Sequence, residues 1–128
     1  FEVVLWVPME DCSKTKAMYL MPPAKDREVQ GDLAKFNKSS AEDIFVTIAD
    51  DVVFAEVKFG EVMIFSQTLM HGNRINQENE TRWSMNCRFK SVMSPYADKK
   101  FGEFFEPINL RAATRIGLDY ELPTGFDD

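Results

Sequence analysis

The chain has 128 residues, of which 45% are hydrophobic and 12% aromatic, with a net charge of −6. It is long enough to bury one sizeable core, so we expect a single soluble domain over residues 1–128. Scattered basic residues argue against a nucleic-acid partner, and the longest apolar runs fall short of the roughly 20 residues that span a bilayer. The opening lacks signal-peptide features, so we expect a cytoplasmic protein without a membrane partner.

In chain order, short strands separated by turns dominate the pattern. Apolar and β-branched runs predict strands at 1–7, 17–21, 52–57, 61–66 and 82–92. The charged stretch 24–40 is interpreted as a surface loop with room for a helical turn or two. From residue 94 onward we expect irregular chain with a short helix near 110–116 and a frayed end at 124–128. The isolated Cys12 and Cys87 predict two reduced core thiols.

The predicted strand 82–92 has one apolar side and one polar side. Residues of alternating parity point to opposite sides of a strand. One side carries the apolar Trp83, Met85, Cys87 and Phe89; the other carries Arg82, Ser84, Asn86 and Arg88. We interpret the second side as functional.

The only histidine of the chain, His71, follows a hydrophobic strand, and Arg82 opens the next predicted strand eleven residues later. In a β-barrel both side chains can point into the lumen. Neutral imidazole is a good iron ligand, and a guanidinium matches a carboxylate in a bidentate way. Ser84 faces the same way as Arg82 and can donate to the same carboxylate.

Three patterns, G-x-x-x-x-F, H-G-x-x-x-N and R-x-S, occur in this order between residues 60 and 84. Together they resemble the phytanoyl-CoA dioxygenase-like superfamily of Fe(II)/2-oxoglutarate-dependent oxygenases, most closely those of bacterial carbohydrate-biosynthesis clusters. The resemblance implies a mainly β fold, a double-stranded β-helix (jelly roll, cupin-like), with Fe(II) as cofactor and 2-oxoglutarate as co-substrate. It also implies hydroxylation or oxidation of a small-molecule substrate.

The same resemblance assigns roles to individual residues. It makes His71 an iron ligand, Arg82 the partner of the far carboxylate of 2-oxoglutarate, and Ser84 the hydroxyl beside it. Trp6 corresponds more weakly to an aromatic side chain near the co-substrate. Further candidates for substrate binding are Asn73, Asn76 and Arg88.

Structural roles stand beside these assignments. Trp6 alone favours a core position, and Arg82 alone could form a surface ion pair with Glu78 or Glu80. The two asparagines suit a turn. Arg88 could meet either an anionic substrate or a carboxylate in the barrel wall.

The sequence departs from the family in one respect, because the H-x-D or H-x-E motif that supplies the other two iron ligands is missing. We therefore expect a C-terminal fragment of the domain, incomplete on its N-terminal side. Its exposed strand edges could then support a homo-oligomer. The alternatives are a degenerate oxygenase and a cupin-like module that binds a small anion without redox chemistry.

Overall fold

A computed structural model describes residues 2–95 and 98–121. The chain divides into two compact units, residues 1–91 and residues 92–128. Small antiparallel sheets with accompanying helices make up the first unit, which agrees with the β-rich pattern of the sequence.

Two three-stranded antiparallel sheets form the framework of the first unit. In sheet A, β1 (Glu2–Pro8) is central, between β4 (Met63–Ser66) and β6 (Ser84–Lys90). In sheet B, β2 (Met18–Leu20) is central, between β3 (Val53–Phe54) and β5 (His71–Asn73). The strands predicted at 1–7, 17–21, 52–57, 61–66 and 82–92 are therefore present, most of them shorter than expected, whereas β5 was not predicted.

Both sheets contribute side chains to one hydrophobic core. Val4, Trp6 and Phe65 of sheet A and Met18 of sheet B belong to the same buried cluster. Residues that pair across an antiparallel ladder point to the same face. The registers therefore identify the core-facing side of each sheet, which we call its inner face.

A second cluster lies on the other side of sheet B, where Tyr19 and Met21 pack with Ile48. Ile48 belongs to helix α2 (Ala41–Ile48), and helix α1 (Pro23–Gln30) contributes Val29 to the same cluster. The stretch 24–40 lies at the surface and holds helical turns, as expected, but it is more helical than a loop, because α1 and a 3-10 helix, Leu33–Phe36, occupy most of it. These short helices gain their stability from packing on sheet B, as short helices generally do.

The two sides of β6 lie in different environments. The register pairs Ser84, Asn86 and Arg88 with Pro8, Trp6 and Val4, so the polar side of β6 belongs to the inner face. The apolar Met85 and Phe89 point outward and are 46% and 41% exposed. The predicted alternation is confirmed, and it is the polar face that adjoins the core.

The second unit contains α3 (Ala112–Leu118) within its described part, close to the short helix predicted at 110–116. Gly102 has a φ of 78° and its N–H donates to the Phe105 carbonyl at 2.8 Å, which closes a tight turn that favours glycine. The predicted fraying of 124–128 lies outside the described residues.

Cys12 and Cys87 are free thiols, as predicted, but only Cys12 lies in the core, whereas Cys87 is half-buried on the outward side of β6. Burial raises the pKa of the Cys12 thiol above its ordinary value. No helix in the described ranges is both long and apolar enough to cross a membrane.

Candidate functional site

His71 begins β5 on the inner face of sheet B, where the register pairs it with Leu20. Its ring contacts Phe65 of sheet A edge-on, with 4.8 Å between the ring centroids. Nδ1 lies 2.6 Å from the Leu69 carbonyl oxygen, and a carbonyl can only accept a hydrogen bond. Nδ1 therefore carries the proton, which leaves the lone pair of Nε2 available to a ligand.

Helix α1 holds the turn that leads into His71. Asp26, which is 5% exposed, accepts the backbone N–H of Met70 at 2.8 Å through Oδ1. Gln30 donates both to Asp26 and to the Thr68 carbonyl, the latter at 2.8 Å. The position of His71 thus depends on contacts from a helix more than 40 residues earlier in the chain.

Arg82, in the loop that precedes β6, contacts the strand that carries His71. Its Nη1 donates to Asn73 Oδ1 at 2.8 Å and to the Lys16 carbonyl at 3.3 Å. Asn73 lies two residues after His71 in β5 and pairs with the core residue Met18, so both β5 side chains belong to the inner face. The fork formed by Nε and Nη2 of Arg82 makes no hydrogen bond with the described part of the chain.

Ser84 and Arg88 lie on the inner side of β6, the strand that follows Arg82. Arg88 Nη1 donates to Glu2 Oε1 at 3.4 Å, and the Glu2 side chain is 6% exposed. With its amide nitrogen turned toward Glu2, Gln67 donates to both carboxylate oxygens, at 2.6 and 3.0 Å. Arg88 therefore meets a carboxylate in the wall, which was one of the two roles considered for it.

Trp6 and Asn76 have clear structural roles. Trp6 is 1% exposed and belongs to the core cluster between the sheets. Asn76 donates to the Glu80 carbonyl at 2.7 Å and accepts the Glu78 N–H at 3.0 Å, which makes it a turn-forming residue. His71, Asn73, Ser84 and Arg88 lie on the inner faces of the two sheets, whereas Arg82 and Asn76 lie in the loop between β5 and β6.

The sequence did not reveal the buried Lys16, which is 5% exposed. Its ammonium pairs with Glu10 at 2.9 Å and with Glu80 at 2.5 Å, so the ion pair suggested between Arg82 and Glu80 is made by Lys16 instead. Hydrogen bonds from Lys16 and from the Trp83 N–H hold the pKa of Glu10 below its ordinary value. The same carboxylates raise the pKa of Lys16, Glu80 having the larger effect.

A polar cleft of about 460 Å³ opens beside Arg82. Its lining comes from Thr15 and from the loop after β5: Arg74, Asn76, Glu78, Asn79, Glu80, Thr81 and Arg82. The cleft adjoins the inner-face residues through Arg82 and offers hydroxyl, amide and charged groups suited to a polar ligand.

A metal fits this arrangement in part. His71 presents a correctly protonated imidazole, but the described residues contain no group of three or more His, Cys, Asp and Glu side chains able to hold a metal ion. The sequence matches no family model, no curated protein and no solved structure. Function is therefore inferred from the residues of the site and their geometry.

Proposed function

We propose that this chain is the C-terminal part of a jelly-roll oxygenase domain that depends on Fe(II) and 2-oxoglutarate and acts on a small molecule of carbohydrate metabolism. One observation carries the proposal: Arg82 bonds Asn73 on the strand and face that carry His71. In the proposed barrel, a carboxylate-binding cation and an imidazole with a free Nε2 would thus face one lumen. The R-x-S spacing adds Ser84 to the same side.

Each residue has a defined part in this proposal. Iron and 2-oxoglutarate, when bound, would supply the oxidation chemistry. His71 would hold the metal through Nε2, oriented by the Leu69 carbonyl. The free fork of Arg82 would bind the distal carboxylate of 2-oxoglutarate, with Ser84 donating a hydrogen bond to it. Phe65, against the His71 ring, would keep water away from that side of the imidazole.

The proposal requires two further iron ligands from outside these 128 residues, because no H-x-D or H-x-E motif occurs in them. The 128-residue chain alone should therefore bind Fe(II) only weakly, since a single imidazole provides neither a second ligand nor a charge-neutralising carboxylate. Tight one-to-one iron binding by this chain in calorimetry would contradict the assignment of ligands.

Replacing Arg82 with Met tests the co-substrate site. Breaking a buried charge-assisted pair costs roughly 2 to 5 kcal/mol, or more than tenfold in affinity. In the longest natural protein that contains this chain, R82M should raise the 2-oxoglutarate KM by more than tenfold and change the affinity for the primary substrate less. The matched control is R27M, which removes an exposed arginine of α1. Turnover with an unchanged 2-oxoglutarate requirement in R82M would refute the assignment.

A second candidate is a cupin-like module that binds a small anionic metabolite. It is favoured by the Nε and Nη2 edge of Arg82, which makes no hydrogen bond within the described residues, together with the lack of a metal-ligand cluster among those residues. This module would bind a dicarboxylate such as succinate equally well with and without iron. The oxygenase would bind 2-oxoglutarate more tightly when iron is added, so titrations with and without Fe(II) distinguish the two.

We also propose that two copies associate through strand edges. Within the described residues, β4 and β6 each pair with β1 on one side only, and such edges invite pairing with another chain. Sedimentation velocity should show a concentration-dependent dimer. A monomer at every concentration tested would exclude this mode of association.

A further inference from the structure

Lys16 is an unusual lysine because it is almost fully buried. Lysine side chains are seldom buried unless their charge is paired. Lys16 Nζ contacts Glu10 Oε2 at 2.9 Å and Glu80 Oε2 at 2.5 Å. The carboxylates of Glu10 and Glu80 are 30% and 70% exposed, so the lysine gives up more of its contact with water than either partner.

The two carboxylate partners of Lys16 are connected to the chain on either side of Arg82. Glu80 lies two residues before Arg82. The other oxygen of Glu10 accepts the N–H of Trp83, the residue after Arg82, at 2.9 Å. The carbonyl of Trp83 accepts the Met9 N–H at 2.9 Å. The backbone on both sides of Arg82 is thus connected to one buried ammonium.

Lys16 also contacts the guanidinium of Arg82 directly. Its backbone carbonyl accepts a hydrogen bond from Arg82 Nη1 at 3.3 Å, and Asn73 Oδ1 accepts another from the same nitrogen. With Nη1 held by two oxygens, the guanidinium plane is fixed and its opposite edge, Nε and Nη2, is presented to a ligand. Binding groups held in place in this way lose less freedom when they bind.

We infer that Lys16 is the positioning residue for Arg82, fixing through Glu10 and Glu80 the backbone that carries the arginine and through its own carbonyl the orientation of the guanidinium. The inference rests on the proposed function in one respect, the carboxylate ligand of Arg82. Immobilisation of Arg82 in the free protein does not depend on any ligand, and it can be measured separately.

The first measurement is NMR of the Arg82 guanidinium in the ligand-free chain, with the signals assigned by their loss in R82M. A guanidinium held at Nη1 rotates slowly and gives separate Nη signals. In K16M, which replaces the lysine with an apolar side chain of similar length, we expect these signals to merge. K16R, which keeps the charge, should retain the separation.

The matched control is K25M, because Lys25 also pairs with two carboxylates, Glu28 and Asp51, but is 48% exposed and belongs to α1. We expect wild-type Arg82 signals in K25M. If K16M does not fold, E10Q replaces it, since it removes the charge that links Lys16 to Trp83. Unchanged Arg82 signals in a folded K16M, or in E10Q where K16M is unfolded, would overturn the inference.

The second measurement is the 2-oxoglutarate KM of the longest natural protein that contains the chain. Small misplacements of a binding group lower affinity strongly, so we expect K16M to raise this KM roughly tenfold. K16R should restore most of the lost affinity. In both variants kcat should change less than KM. The Nη signals of Arg82 could merge in K16M while the wild-type protein binds no dicarboxylate. That result would contradict the proposed function and leave the positioning role intact. Merged Nη signals in K16M together with an unchanged 2-oxoglutarate KM would show that Lys16 does not position Arg82 for a carboxylate.

Discussion

Gly72 separates His71 from Asn73 and offers a sharp test of the packing around β5. Gly72 pairs with Tyr19 in sheet B. A Cβ at this position would lie 2.6 Å from Tyr19 Cζ and 3.0 Å from its Cε1, whereas carbon atoms pack best at roughly 3.5 to 4.0 Å. The Tyr19 ring has little room to move, because it is 9% exposed and lies 5.1 Å from Phe45 and 6.2 Å from Phe54 between centroids.

We therefore expect Gly72→Ala to destabilise the protein. Overpacking of this kind costs about 1 to 3 kcal/mol, and the loss of backbone freedom in the unfolded chain returns about 0.5 to 1 kcal/mol. The free energy of unfolding, measured by urea denaturation followed by circular dichroism, should fall by up to about 2.5 kcal/mol. Gly117→Ala is the control, because a Cβ there has no neighbour within 4 Å, and it should be neutral or stabilising.

A double-mutant cycle identifies the cause of the destabilisation. Tyr19→Leu removes the atoms that the new Cβ would meet, so the double variant should cost about 1 kcal/mol less than the sum of the two single variants. Strict additivity would refute the close contact between Gly72 and Tyr19, and with it the packing described for β5.

Two further outcomes follow from other contacts. Because Trp6 is a core residue, Trp6→Phe should lower the free energy of unfolding by about 1 to 2 kcal/mol without changing the 2-oxoglutarate KM; a KM change at unchanged stability would place Trp6 against the ligand. The Arg74 guanidinium donates two hydrogen bonds to Glu42 and lowers the pKa of that carboxyl. A lowered pKa in the folded state stabilises the protein above the ordinary value of 4.5, and this contribution is lost as the pH falls through the lowered value. Arg74→Met should therefore reduce stability at pH 7 and lose its effect in strong acid, in urea titrations at several pH values; an equal difference at every pH would contradict the ion pair.

The strands of the first unit could be predicted because their signal is local. β1 is β-branched and aromatic, and β6 alternates strictly in polarity. Alternation specifies the two sides of a strand, but it does not say which side faces the core. The polar side of β6 faces inward because the register pairs Asn86 with Trp6 and Arg88 with Val4, and register depends on the rest of the sheet.

Helix α2 and the full length of α1 were not predicted, although signals for both were present. Pro23 stands at the first position of α1, where proline is favoured. Ser40 and Asp43 form a capping box at the start of α2. The local composition favours other structures, because α1 is strongly charged, which is typical of a surface loop, and α2 contains several β-branched and aromatic residues, which are typical of a strand. Contacts with Tyr19 and Met21 on sheet B decide the outcome.

The spacing of His71 and Arg82 predicts that they lie near each other, and Arg82 does hydrogen-bond Asn73 on the strand that carries His71. Lys16 could not be found in this way. Its contact with Glu80 joins residues 64 positions apart, and nothing in the local sequence distinguishes it from an exposed lysine. Its role becomes visible only when the loop after β5 folds back onto the residues after β1.

The bracing of the turn before His71 by Asp26 and Gln30 has a consequence for how the chain can vary in length. The anchors lie in α1 and at residues 68–70, so the segment 31–40 takes no part in placing the histidine. Its residues are mostly exposed, and surface segments accept extra residues at little thermodynamic cost. Insertions there should leave the imidazole where it is, whereas shortening α1 by a single turn removes its support. Insertions, whether natural or engineered, are therefore best accommodated in the segment 31–40, between α1 and α2.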